Sequence, residues 1–258
     1  MADSIVNRQS NPTDKTSYKS TWTQRAWFAS GCTTILISLA KSMLMLAAAT
    51  PTSPRTFLQL TLAAFLGYLL ADLASGIYHW AVDNYGSPMT PVFGSQIESF
   101  RAHHQHPSAI TKSDTAVLSY MVAGVVTVIV LPINILSRDP VFLWFVGVSA
   151  GCGLFSLKLH AWAHTPKRKL PSVVAALQDS GIILRWSQHK AHHRPPFKSD
   201  FCTVSGIWNK ILDESNIFSA IEVMLFRVFG VRPRSWSEPN SDWKLAESDF
   251  VGSNPDLD

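Results

Sequence analysis

Residues 115–164 read TAVLSYMVAGVVTVIVLPINILSRDPVFLWFVGVSAGCGLFSLKLHAWAH. Residues 115–137 carry no charge, and residues 140–157 carry none before Lys158 closes the run. Each stretch is about long enough to cross a hydrocarbon core as a helix. Between them Ser137-Arg138-Asp139-Pro140 reads as a tight turn, which makes the two helices antiparallel, and Pro132 is expected to kink the first. Working outward, residues 27–50 are apolar except for Lys41, and residues 56–80 are apolar except for Asp72. The expected fold is therefore an all-α integral membrane protein of about four transmembrane helices, arranged as two helical hairpins.

Composition agrees with membrane residence. The 258 residues are 47% hydrophobic and only 16% charged, too apolar for a disordered or simply solvated chain. The net charge of +4 is spread between apolar runs rather than gathered into one stripe, which excludes a nucleic-acid binder. Cys32, Cys152 and Cys202 form no CxxC pair, so neither a disulfide framework nor a thiolate zinc site is supported. Residues 1–26 are rich in Ser and Thr and read as a disordered or transit-like segment. Residues 27–243 read as the membrane domain, and residues 244–258 as a polar tail. Residues 171–186 are amphipathic and expected to lie along the interface.

Lys and Arg concentrate in the N-terminal segment, in the loop 83–114 and after Lys158, while Arg55 and Arg138 are nearly alone on the opposite side. An even number of spans places the three rich segments on one face, the cytosol-like side by the positive-inside rule.

All nine histidines lie between His79 and His193, and their spacing has a purpose. His160 and His164 form an i, i+4 pair at the end of the fourth span, and His79 and Asp83 form another at the end of the second. Each pair presents two ligand-type side chains from one helical face. His103 and His104 are neighbours that point about 100° apart on a helix. His189, His192 and His193 combine i, i+3 and i, i+4 relations, which lets one turn serve two ions. All four clusters fall on the basic side. Eight imidazoles and one carboxylate exceed the needs of a single ion and suit two. A donor set of imidazole and carboxylate without thiolate suits iron, manganese or zinc. His106, followed by Pro107, fits no pair. Trp80, Trp162, Trp186 and Trp208 near the span ends read as an aromatic belt.

With these clusters in hand, the stretches DLASGIYHWAVDNYG (72–86), ESFRAHHQHPSAIT (98–111), LHAWAH (159–164), LQDSGIILRWSQHKAHHRPPFKSDFCTVSGIWN (177–209) and GVRPRSWSEPNSDW (230–243) resemble the plant plastid fatty acid desaturase 4 family. That family is similar in turn to the animal plasmanylethanolamine desaturases, also called Kua proteins. The resemblance implies that His79, Asp83, His103, His104, His160, His164, His189, His192 and His193 hold two iron ions, with O2 as co-substrate. Compared with larger membrane desaturases, Asp83 stands where an H-x3-H box would end and Phe100 where an H-x2-HH box would begin; the family shares both departures. The implied reaction removes two hydrogens from adjacent acyl carbons with two electrons from a ferredoxin-type donor. The implied substrate is phosphatidylglycerol carrying palmitate at sn-2, converted to the trans-3 product in a plastid (chloroplast) membrane, with the endoplasmic reticulum as the alternative. Lys167, Arg168, Lys169, Arg185 and Arg194 are candidates to attract the anionic headgroup, against the plainer reading of a solvated basic cluster.

Two other chemistries compete. A di-iron lipid hydroxylase would use the same ligands, and a bis-histidine haem electron carrier would take His79 and His160 as axial ligands. A zinc hydrolase lacks H-E-x-x-H and a general-base glutamate beside the histidines.

Overall fold

The computed structural model describes residues 18–48 and 53–237. Most of the transit-like segment and the whole of residues 244–258 lie outside the described residues. Among the described residues four helices are long and apolar enough to cross a membrane: α1 (Trp22–Ala48), α2 (Pro54–Asn84), α4 (Thr115–Leu136) and α5 (Pro140–Ala163). Between α2 and α4 lies α3 (Gly94–Gln105); after α5 come the short α6 (Ser172–Asp179), α7 (Trp186–His189) and α8 (Asn209–Glu214), then α9 (Ile217–Phe229). No strand occurs among the described residues.

The ends of the spans follow from local chemistry. α1 starts at Trp22, ahead of the apolar run, because Thr21 and Gln24 form a reciprocal capping box: Gln24 Oε1 accepts from the Thr21 N–H at 2.9 Å and Thr21 Oγ1 from the Gln24 N–H at 3.3 Å. Asp139 caps α5, its Oδ1 accepting from the N–H groups of Val141 and Phe142, and Pro140 sits in the first turn, where its missing N–H costs nothing. α4 continues through Pro132.

The expected pair of hairpins is half right. α4 and α5 form one, but among the described residues α1 and α2 share no packed face. Instead α5 packs against α1, α2 and α4, and α1 packs along α4. Small residues permit this, since apolar lipid gives no hydrophobic incentive and close backbone approach must supply the attraction. A Cβ on Gly31 would lie 2.8 Å from that of Ala123 in α4, and one on Gly67 would lie 2.9 Å from the Phe145 carbonyl oxygen in α5. The outward faces carry Leu36, Leu44, Phe57, Leu62, Val128 and Ile129, all exposed as a lipid-facing surface requires.

Both charges inside the runs are accounted for. Lys41 Nζ donates to the carbonyls of Asn134 and Ser137 at 2.6 and 2.8 Å, where the C-terminus of α4 leaves acceptors unpaired. Asp72 is fully buried and bound to backbone N–H groups at the other end of the bundle.

The amphipathic stretch 171–186 is not one interfacial helix. α6 stops after Asp179, Gly181 takes φ +71°, and Ile183 and Leu184 turn inward. The amphipathic helix at this end is α9, which buries Phe218 and Glu222 and exposes Val223, Met224, Val228 and Phe229. The tryptophans also depart from a uniform belt. Trp80 is buried, stacks on Phe218 at 5.0 Å and donates its indole N–H to Glu222; Trp208 donates to the Leu69 carbonyl. These two rings pin the polar segment to α2.

Candidate metal centre

Four elements end at one place. α2 delivers His79 and Asp83, α5 delivers His160 with His164 just beyond it, α3 delivers His103 and His104, and α7 with the following turn delivers His189, His192 and His193. α3 is aimed by its apolar side, on which Ile97 and Phe100 pack with Val82 of α2 and Leu157 of α5, so its last turn faces the bundle end. The donors sort into two groups. His103, His160, His164, His189 and His193 form an imidazole group; His79, Asp83, His104 and His192 form a mixed group. Within each, one ligand atom from every residue lies within 4.8 Å of the others, and every member is buried.

Each i, i+4 pair therefore stays together in its own group, whereas the sequence neighbours are divided. His103 and His104 go to different groups, as do His192 and His193. Neighbouring side chains diverge on a helix or tight turn, so two adjacent histidines serve two positions. His106 is exposed and belongs to neither group. The haem arrangement does not fit: His79 and His160 lie in different groups, each enclosed by further imidazoles.

The chemistry of the donors suits cations. In the mixed group Asp83 Oδ2 lies 3.4 Å from His79 Nε2, 3.4 Å from His104 Nε2 and 3.3 Å from His192 Nε2. His79 and His192 turn Nδ1 to backbone carbonyls, those of Phe201 at 2.9 Å and Ser199 at 2.8 Å. A carbonyl only accepts, so both rings carry a proton on Nδ1 and turn Nε2 toward the carboxylate. Among the described residues neither oxygen of Asp83 nor His79 Nε2 has a hydrogen-bond partner. Isolating a buried charge costs several kcal/mol, more than the ~1 kcal/mol a hydrogen bond returns, so the group as built fits a bound cation. In the imidazole group Nε2 atoms approach at 3.1 Å (His103 and His160), 3.2 Å (His160 and His164) and 3.1 Å (His189 and His193). Two nitrogens each about 2.1 Å from one ion and at right angles to it would lie about 3.0 Å apart. Burial, the leading cause, pushes His103 down to about 3 and holds His104, His189 and His193 well below the ordinary imidazole range, which keeps these rings neutral and able to ligate.

Other side chains hold this arrangement. Phe100 packs edge-on against His79 at 5.0 Å, so the residue at the missing box position fills space beside a donor. Phe197 stacks on His104 at 4.6 Å, and Trp186 covers His164 at 5.1 Å. The Arg234 guanidinium donates to the carbonyls of Asp83 and Gly86, capping the end of α2. Arg234 escaped residue-by-residue reading because it stands far from any histidine; only its place in the stretch 230–243 marked it.

A model of the lipid desaturase domain matches residues 68–236, a stretch that holds every donor of both groups. The chain belongs to the lipid desaturase family. Within that family it is 48% identical over 239 residues to fatty acid desaturase 4-like 1, chloroplastic, of Arabidopsis thaliana, covering 93% of this chain and 79% of the relative. It is 51% identical over 223 residues to fatty acid desaturase 4, chloroplastic, of the same plant, covering 86% and 68%. Plasmanylethanolamine desaturase 1 of Mus musculus is 30% identical over 184 residues, covering 67% and 68%. No solved structure matches the chain. The resemblance to the plant branch is borne out: the chain is a membrane desaturase, an oxidoreductase of multi-pass architecture, with chloroplastic proteins as its relatives at about half identity.

Proposed function

We propose that this desaturase holds two iron ions, one in each donor group, and uses O2 to introduce a trans-3 double bond into palmitate at sn-2 of phosphatidylglycerol in a plastid membrane. The observation that carries the reading is the pair of buried donor groups at one end of four spans. His79, Asp83, His104 and His192 would hold one ion, and His103, His160, His164, His189 and His193 the other. When bound, the ions supply activation of O2, and two electrons with two protons balance the removal of two acyl hydrogens and the release of two waters. Electrons come from outside, from a ferredoxin-type donor, since the chain has no dinucleotide fingerprint.

The protein groups set where on the lipid this occurs. Position 3 lies next to the ester, so the reacting carbons must sit close to the headgroup, and donors at span ends meet that demand. A cavity of about 160 Å³ beside the imidazole group is lined by Thr165, Lys167, Gln178, Arg185 and Trp186, of which Lys167 pairs with Asp179 at 2.7 Å. Of the five basic candidates, Lys167 and Arg185 share this cavity with Asp179, and the surplus positive charge supports it as the site of an anionic headgroup, with Trp186 shielding the donors behind it from water. Expression in a host supplied with plastid-type phosphatidylglycerol, followed by lipid mass spectrometry, tests the proposal. A trans-3 hexadecenoyl product supports it; a hydroxylated acyl chain assigns the alternative, and an unchanged lipid pool with iron-loaded protein rejects the substrate.

A further inference from the structure

Asp72 belongs to neither donor group, yet it is fully buried just past the middle of α2. Its Oδ1 accepts from the N–H groups of Val204 at 3.1 Å, Ser205 at 2.8 Å and Gly206 at 3.1 Å, and its Oδ2 from that of Trp208 at 3.4 Å. The turn that curls these donors around the carboxylate needs Gly206 at φ +75°. A buried carboxylate surrounded by backbone N–H groups needs no cation. The same segment is fastened twice more to α2: Ser75 Oγ accepts from the Thr203 N–H at 2.9 Å, and Gly76 leaves room for Cys202, whose Sγ would lie 2.4 Å from a Cβ there.

Immediately before this clamp, three consecutive carbonyls face the donors. Ser199 O receives His192 Nδ1 at 2.8 Å, Asp200 O receives His189 Nδ1 at 3.3 Å, and Phe201 O receives His79 Nδ1 at 2.9 Å. Successive carbonyls of a regular extended strand alternate in direction. Turning three toward one site requires an irregular backbone, and Asp200 supplies it at φ +57°, a left-handed conformation uncommon outside glycine. His79 and His192 belong to the mixed group and His189 to the imidazole group.

Resting on the reading that both groups hold metal, we propose that Asp72 is a positioning residue: by clamping residues 203–208 to α2 it fixes the carbonyl ladder that sets the tautomer and direction of donors in both groups at once. Loss of the clamp then loosens both ion positions together, whereas loss of a donor strikes one.

The test uses full-length protein in nanodiscs, with cobalt(II) as a spectroscopic probe in competition with a chelator, and iron content as purified. Asp72→Asn keeps the shape and one acceptor oxygen but loses the charge. Glu222→Gln is the control, because this buried carboxylate accepts from the indoles of Trp80 and Trp236 but touches no carbonyl of the ladder. We expect Asp72→Asn to insert and fold, to weaken cobalt binding about 10–100-fold at both positions in parallel, as loss of groups that orient ligands does, and to shift the cobalt ligand-field bands. Glu222→Gln should lower thermal stability with affinity and bands unchanged. Should Asp72→Asn fail to fold, Ser75→Ala removes a weaker tie of the same clamp and should shift both positions in the same direction by less. Wild-type affinity and bands in Asp72→Asn, or in Ser75→Ala where that variant is used, overturn the inference alone, as does loss confined to one position. A wild-type protein that binds no cobalt and no iron overturns the metal reading and this inference with it.

Discussion

The two donor groups lie side by side but are built differently. The mixed group has one carboxylate and three imidazoles, and two of those imidazoles, His79 and His192, are locked by backbone carbonyls. The imidazole group has five rings and no carboxylate; of these His189 alone is tied to the carbonyl ladder, while His103, His160 and His193 keep Nδ1 buried without a partner among the described residues. The first group gains strength from charge and pre-orientation, the second from number. A position held by few oriented donors should fail abruptly when one is lost, and one held by many should weaken by degrees.

The largest effect should follow Asp83→Ala, which removes the mixed group's only charge and no buried apolar volume. Desaturation should be abolished, with the protein still expressed and inserted, and metal analysis should show one position lost and the other kept. Asp83→Asn should fail almost as badly, because a neutral amide keeps the shape but is a poor ligand. Product per unit of membrane protein, measured with metal per chain, checks both.

His164→Ala should be milder, since four imidazoles remain. Affinity at that position should fall about 10–100-fold, and activity should return when iron is raised. If His164→Ala proves irreparable and Asp83→Ala tolerable, the contrast drawn between the groups is reversed.

Acidification should give a graded response in metal-stripped protein. Burial depresses His103, His104, His189 and His193 in the folded state, while the unfolded chain titrates near 6.5. Below about pH 6.5 the unfolded state binds more protons, so stability should fall steadily as pH drops toward about 3, where His103 titrates in the fold. Chemical denaturation across this range, repeated on His103→Gln with its expected shallower slope, checks the sign. The smallest effect belongs to His106→Ala, which should retain substantial activity because His106 is exposed and outside both groups.

What was legible in the sequence was what depends on local periodicity. Uncharged runs of span length gave α4 and α5 directly, and i, i+4 spacing correctly paired His160 with His164 and His79 with Asp83. Partition of the remaining histidines was not legible, because whether His103 or His104 joins the imidazole group depends on how α3 rolls against Val82 and Leu157. For the same reason the first pair of spans, adjacent in sequence, could not be seen to separate around α5. Asp72 stood out only as a blemish in an apolar run; its partners lie some 130 residues later, beyond the reach of any spacing rule. Trp80, read as a belt residue, is buried instead, because its acceptor, Glu222, is equally remote.

The central claim, two ion positions of unequal build, is tested most directly by metal analysis with visible spectroscopy on the purified protein. The account predicts about two irons per chain and no Soret band. Stoichiometric zinc with negligible iron, or a Soret band, would contradict it.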